Sequence, residues 1–201
     1  MNLDPKNYPL LQDVDNLLEK NHSMVLYDNE EYGKLVKYRY IENGLKQGEH
    51  SFILTHDEVN SIENEVASYG IDVDFFKQKN LLHIHKLENI MESHDDIIQG
   101  LRDSIKQITN GLKPPYRFIG RIIPDVSSKD NIEKELKVEH EFHSHFDNYD
   151  FSFLCVYNVN DIESTRRSKW LEELLANHHN LIYATNPEDS VAFDPQLLTN
   201  P

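Results

Sequence analysis

SMVLYDNEEYGKL, residues 23–35, decides how the rest of the chain is read. Its first five residues are apolar on both faces, as a strand covered by helices on both sides must be. Asp28 and Glu31 then stand at capping-box spacing and open a helix to about Tyr40, which closes around Gly44 and Gly48. The alternation repeats outward. SFILT at 51–55 is a second strand, and Thr55 and Glu58 repeat the capping-box spacing. Val59, Ile62, Val66 and Tyr69 then form a helical stripe that stops at Gly70. After a short turn, IDVDFFKQKN at 71–80, LLHIHKL at 81–87 reads as a third strand. Ser93 and Asp96 are candidate caps for a helix whose face is Ile97, Leu101, Ile105 and Ile108. Strands at 116–123, 151–158 and 180–185 alternate with helices at 128–147 and 162–176, and an edge strand is expected around 191–193. Upstream, Leu10, Leu11, Val14, Leu17 and Leu18 mark a short amphipathic helix. Short strand–helix connections argue for parallel βαβ units. The expected fold is an α/β three-layer sandwich with a mostly parallel central sheet and a ligand crevice at the carboxyl ends of its strands.

Composition narrows the function. The 201 residues are 38% hydrophobic and carry a formal net charge of −15. Such a chain repels phosphate backbones and anionic lipid, so direct nucleic-acid and membrane partners are not expected. No apolar run approaches the roughly 20 residues of a spanning helix, and the acidic N-terminus lacks a signal core, which together suggest a cytoplasmic protein. Cys155 is the single cysteine, which excludes an internal disulfide and any multi-cysteine zinc site.

The first strand–helix turn sits where a G-x-x-x-x-G-K-[ST] phosphate loop would lie. Gly33 and Lys34 match, but Asp28 replaces the first glycine and Leu35 the magnesium-binding hydroxyl. Three carboxylates, Asp28, Glu30 and Glu31, line what would be an anion nest. An ordinary capped helix and a decayed nucleotide turn are both consistent with this, and ATP hydrolysis is not expected.

NIEKELKVEHEFHSHF, 131–146, holds the most informative polar residues. At about 100° per residue from Ile132, Leu136 falls near 40°, Glu139 near −20° and His143 near 20°. Glu139 and His143 thus lie within the apolar stripe, where they need partners. His140 lies on the flank, and His145 points almost the opposite way. His83 and His85 share one face of their strand, as do Cys155 and Tyr157, while His22 precedes the first strand and Tyr27 ends it. Three arrangements fit: a buried polar network, a small-molecule pocket, or a metal site built from His83, His85, Glu139 and His143. His178 and His179 stand where a helix ends, a place that favours cationic imidazole. No nucleophile elbow or H-E-x-x-H motif is present, and Cys155 lies in an apolar strand where thiols are usually inert.

Several pieces in order resemble a known family. They are His22…Tyr27, Gly44-Leu45-x-x-Gly48-Glu49 before a strand ending in Thr55, Gly70-Ile71-Asp72-Val73, Glu139, Cys155-Val156-Tyr157-Asn158 and His178-His179. Together, over roughly residues 20–185, they resemble the MEDS domain, the sensory domain of the DcmR-like type of methanogens and methylotrophs. The resemblance implies a RecA/KaiC-like fold without a functional phosphate loop, and a domain that senses small organic molecules, proposed to be hydrocarbon derivatives. It places His22, Tyr27, Glu139 and Tyr157 among the patterned polar residues. Asn158 stands where that pattern has an aspartate, and His179 where it has a proline. Such domains are often fused to a helix-turn-helix or a kinase, and neither fits in 21 leading residues.

The resulting expectation is a stand-alone, non-enzymatic sensory domain over 22–186, between a 1–21 extension and a 187–201 tail. It would bind a small organic ligand between the long helix and the strand ends through His22, Tyr27, His83, His85, Glu139, His143 and Tyr157. No cofactor or metal is expected. Binding would shift helix packing for a protein signalling partner to read, and the 10–18 helix offers a possible homo-oligomer surface. The alternatives are a metal-dependent enzyme using the His/Glu cluster and a ligand-free interaction scaffold.

Overall fold

The computed structural model describes residues 14–15, 17, 20–87, 97–185 and 191–193. Its elements, in order, are β1 (His22–Tyr27), α1 (Glu30–Gln47), β2 (His50–Thr55), α2 (Val59–Ser68), α3 (Val73–Gln78) and β3 (Leu82–Lys86). Then come α4 (Ile97–Ile108), β4 (Tyr116–Gly120), α5 (Lys129–Ser144), β5 (Phe151–Asn158), α6 (Arg167–Ala176), β6 (Asn180–Ala184) and β7 (Val191–Phe193). The sheet runs β3-β2-β4-β5-β1-β6-β7, with the first six strands parallel and β7 antiparallel to β6.

This order explains the layers. From β1 the chain moves one way across the sheet, to β2 and then β3; afterwards it moves the other way, to β4, β5 and β6. Right-handed crossovers put the helices of opposite movements on opposite faces. Accordingly Val36 and Ile41 of α1, Ile62 and Val66 of α2 and Val73 of α3 share one core with Val25, Ile53, Ile119 and Leu154. Leu101 and Ile105 of α4, Ile132 and Leu136 of α5, and Trp170 and Leu174 of α6 share the other with Met24, Phe52, Phe118 and Phe153. Successive strand residues point to opposite faces, and both faces are covered, which is why the strands read as unbroken apolar runs. Neighbouring β2 and β4 lead to helices on opposite faces, so a crevice opens at their carboxyl ends.

Several local expectations are corrected. Asn29, not Asp28, caps α1 by accepting from the Glu31 amide, and α1 continues to Gln47, where Gly48 at φ 80° closes it. Thr55 accepts from the Asp57 amide and caps no helix; α2 begins after Glu58, whose side chain makes no cap. The 71–80 turn contains α3, capped by Asp72 on the Phe75 amide. The strand expected at 116–123 ends at Gly120, and the helix expected from 162 starts at Arg167. Val14 is buried against α1, and Asp15 takes both arms of Arg39, so these two residues cover the domain's own core. Leu10, Leu11, Leu18, Ser93 and Asp96 lie outside the described residues.

The Gly44…Gly48-Glu49 motif has a packing explanation. Arg117 of β4 is buried and pairs two-pronged with buried Glu49: Nε donates at 2.6 Å and the guanidinium at 3.2 Å. It also donates to the Tyr40 carbonyl at 3.0 Å and lies over the Tyr40 ring. A Cβ on Gly44 would stand 2.7 Å from Arg117 Cδ, so only glycine lets the guanidinium pass. Removing one partner leaves a buried, unpaired charge. Arg117→Ala should therefore lower unfolding stability by about 3–5 kcal/mol in urea titration, whereas Lys20→Ala, on an exposed ion pair, should change it by less than about 1 kcal/mol.

Candidate functional site

The sequence-nominated residues fall in three places. His22, Glu139 and Tyr157 meet under α5, with His143 at the margin. Tyr27 lies in the strand-end cleft, on the other face of the sheet. His83 and His85 lie on edge strand β3, stacked along Phe52. Three strand steps separate β3 from β5, about 14 Å at the usual spacing, so His83 and His85 cannot share an ion with Glu139. The alternative metal set of His83, His85, Glu139 and His143 is not assembled.

Around Glu139 the buried groups are closely spaced. Its Oε2 lies 3.0 Å from His22 Nε2 and 3.5 Å from His178 Nε2. His22 Nε2 is also 3.3 Å from Cys155 Sγ. The Tyr157 hydroxyl contacts Glu139 Oε1 closely and Glu135 Oε1 at 2.7 Å, while Glu135 Oε2 accepts from the Ile123 amide at 3.0 Å. Glu135 was not singled out from sequence, because a charged residue does not count toward an apolar stripe. It is 1% exposed. Counting it, with Val138 and Phe142, moves the buried face of α5 by about 40°, which leaves His143 half-buried at the edge.

One hydroxyl proton cannot serve two carboxylates. Burial and the neighbouring Glu139 charge push Glu135 well above the ordinary carboxylate range, so it holds its proton. Glu135 then donates to Tyr157, which donates to Glu139. Burial alone would also raise Glu139, but the facing His178 and His22 rings and the Tyr157 hydroxyl outweigh it and keep Glu139 low. His178 itself is pushed down to about 3 by burial and His22. His178 would lower Glu139 only if charged. The deep burial of the ring and its 3.5 Å separation from the carboxylate favour the neutral form, which leaves His22 and Tyr157 to hold Glu139 low. His178 Nδ1 donates to the Leu174 carbonyl at 2.7 Å, so Nε2 turns a lone pair toward Glu139. His178 does cap the carbonyl end of α6 as its position suggests, but as a buried neutral ring. His143, against His179 at 4.7 Å between ring centroids, is pushed down to about 4 by burial and His179.

The second feature is the cleft of about 360 Å³ at the strand ends. Ile53, Ile62, Ile119 and Val156 line it with apolar surface; Tyr27, Lys37, Thr55, His56, Asp57, Arg121 and Asp161 supply polar groups. Gly120 lies flat against β2, since a Cβ there would stand 2.7 Å from the Leu54 carbonyl oxygen. His56 Nε2 donates to the Arg121 and Ile122 carbonyls, fixing the loop after β4. That loop joins the two features. Arg121 reaches the cleft and lies over the Tyr157 ring at 5.9 Å, and Ile123 donates to Glu135. Nearby, the Tyr27 ring packs onto Gly33, where a Cβ would stand 2.6 Å away, and Lys34 is held by Glu65 at 2.9 Å.

Comparison with known proteins agrees with this architecture. The family model MEDS, described as MEthanogen/methylotroph, DcmR Sensory domain, matches residues 21–179. A KaiC-like protein of the hyperthermophilic archaeon Pyrococcus horikoshii superposes with a TM-score of 0.59 at 11% identity, over 88% of this chain and 79% of its own. That likeness establishes a KaiC/RecA-like fold. No curated protein matches the sequence. Among the described residues, no helix is long and apolar enough to cross a membrane.

Tyr157 links the two buried acids, accepting from Glu135 and donating to Glu139. Tyr157→Phe should cost about 1.5–3 kcal/mol, the usual range for a hydrogen bond to a charged group, measured by urea unfolding. A loss below about 0.5 kcal/mol would mean the two carboxyl groups bond each other directly.

Proposed function

The chain belongs to the MEDS family of sensory domains, and from that premise we propose that it senses a small organic molecule in the strand-end cleft and reports it through α5 to a protein partner. The observation that carries this reading is the loop after β4. One of its residues, Arg121, faces the cleft, and another, Ile123, holds the buried acid of α5. A ligand that draws Arg121 toward itself moves the amide on which Glu135 depends, and with it the packing of α5. The signal requires two arrangements that differ in ligand affinity.

The cleft favours a molecule with an apolar body and a hydrogen-bonding or anionic head. Ile53, Ile62 and Ile119 meet the former; Lys37 and Arg121 meet the latter. A nucleoside triphosphate suits it poorly. Asn29 already satisfies an amide at the start of α1, Glu30 and Glu31 occupy the first turn, and Lys34 is committed to Glu65. The Tyr27 ring fills the space above Gly33. The turn is thus read as a phosphate loop that has lost its function.

A thermal-shift series with short-chain alcohols, amines and carboxylates, alongside Mg-ATP, tests this. A true ligand at about a hundred times its Kd adds ~2.7 kcal/mol, a rise of roughly 5–11 °C for a chain of this size. Arg121→Ala and Lys37→Met should abolish the rise while leaving the unliganded midpoint nearly unchanged. Stabilisation by Mg-ATP alone, or an organic ligand indifferent to both substitutions, would overturn the reading.

A further inference from the structure

We infer that His22, Glu139, Cys155 and His178 form a site for a divalent transition-metal ion of the zinc type, buried between the sheet and the two helices α5 and α6. Among the described residues His22 and His178 present one imidazole nitrogen each, Glu139 a carboxylate oxygen and Cys155 a thiol sulfur, all within 4.8 Å of one another. Ligand bonds of 2.0–2.3 Å in a tetrahedron give edges of ~3.3–3.8 Å. The separations here are 3.0 Å for His22 Nε2 to Glu139 Oε2, 3.3 Å for His22 Nε2 to Cys155 Sγ and 3.5 Å for His178 Nε2 to Glu139 Oε2. These three separations lie within a few tenths of an ångström of tetrahedral edges, and the wider ones, up to 4.8 Å, close by about 1 Å through side-chain rotation to enclose an ion.

Three further observations point to a cation rather than to a plain hydrogen-bonded cluster. His178 Nε2 is fully buried and makes no hydrogen bond, although it is aimed at a carboxylate. A buried nitrogen that faces a carboxylate oxygen across 3.5 Å without a hydrogen bond is satisfied by a cation between the two. Secondly, the other nitrogen of that ring is already oriented, because Nδ1 donates to the Leu174 carbonyl. This is the outer contact that metal-bound histidines usually make, and it fixes the tautomer that leaves Nε2 free to coordinate. Thirdly, charge balances. A carboxylate, a thiolate and two neutral imidazoles sum to −2 and neutralise one M²⁺ ion. Cys155 releases its thiol proton to solvent on binding, and each imidazole coordinates through the nitrogen that carries no proton. A mixed nitrogen, sulfur and oxygen set selects a borderline-soft ion over calcium or magnesium. The site is separate from the strand-end cleft, and metal retention is read without any organic ligand, so its failure and that of the sensory reading are distinguishable.

The test uses the full chain without an affinity tag. Protein loaded with zinc and dialysed should retain about one ion per chain by elemental analysis. Cobalt(II) titration should give tetrahedral visible bands with a near-ultraviolet thiolate-to-cobalt transition. Cys155→Ser should remove that transition, and His178→Gln should weaken zinc at least about tenfold in a competing-chelator assay. His83→Ala and His85→Ala should leave stoichiometry and spectrum unchanged. Wild-type protein that retains no zinc, or binds cobalt without a thiolate transition, would overturn the site and leave a hydrogen-bonded network. Cys155→Ser and His178→Gln proteins that fold, judged by circular dichroism, yet bind zinc like wild type would also overturn it. Should Cys155→Ser fail to fold, the wild-type cobalt spectrum alone decides.

Discussion

A carboxylate shut away from water imposes conditions on everything around it, and Glu139 is such a group at 4% exposure. Left unpaired, its charge would cost several kcal/mol and would be relieved by protonation or by local opening. Each element near it therefore contributes a polar group. β1 begins with His22, β5 supplies Cys155 and Tyr157, and His178 follows α6. The result ties two helices and two central strands at one point of the second-half core. Apolar packing alone would tolerate small slides of α5 along the sheet. A directional chain from Ile123 through Glu135 and Tyr157 to Glu139 does not.

The opposite face is pinned in the same manner by different chemistry. Arg117 and Glu49 sit beneath α1 as a two-pronged pair, and glycine at position 44 makes the space. Each core thus contains a polar anchor inside an apolar surround. Anchors of this kind suit a domain with discrete arrangements, because a helix must break named bonds before it moves. The loop after β4 is the natural place for that break, since it touches both the cleft and the acid chain.

Much of this was legible in the sequence, for a physical reason. Strands covered on both faces are apolar throughout, so residues 23–27, 51–55 and 151–158 stood out, and glycines marked helix ends. Strand order was not legible, because β1 sits between β5 and β6 through pairings that no local pattern encodes. Among the site residues, Glu139 was visible by its angle on the helix, and His22 and Tyr157 by their places on strands. Glu135 and Arg117 were missed because charge was read as exposure; both are buried only because a distant partner meets them. His83 and His85 show the converse. Alternation placed them correctly on one strand face, but which face, and how far from α5, depended on the order of strands.

That order has a consequence for biosynthesis. β1 leaves the ribosome before any other strand, yet His22 pairs with Phe153 and Ser23 with Asn180. At ordinary translation speeds it waits on the order of ten seconds for both neighbours. During that interval an apolar segment with two unpaired edges and a histidine meant for the interior remains open to chaperones, or to the same segment of another nascent chain. An interior position of the finished sheet thus stays open until its last two parallel strands arrive, and the nascent chain is most vulnerable at the first strand of that sheet.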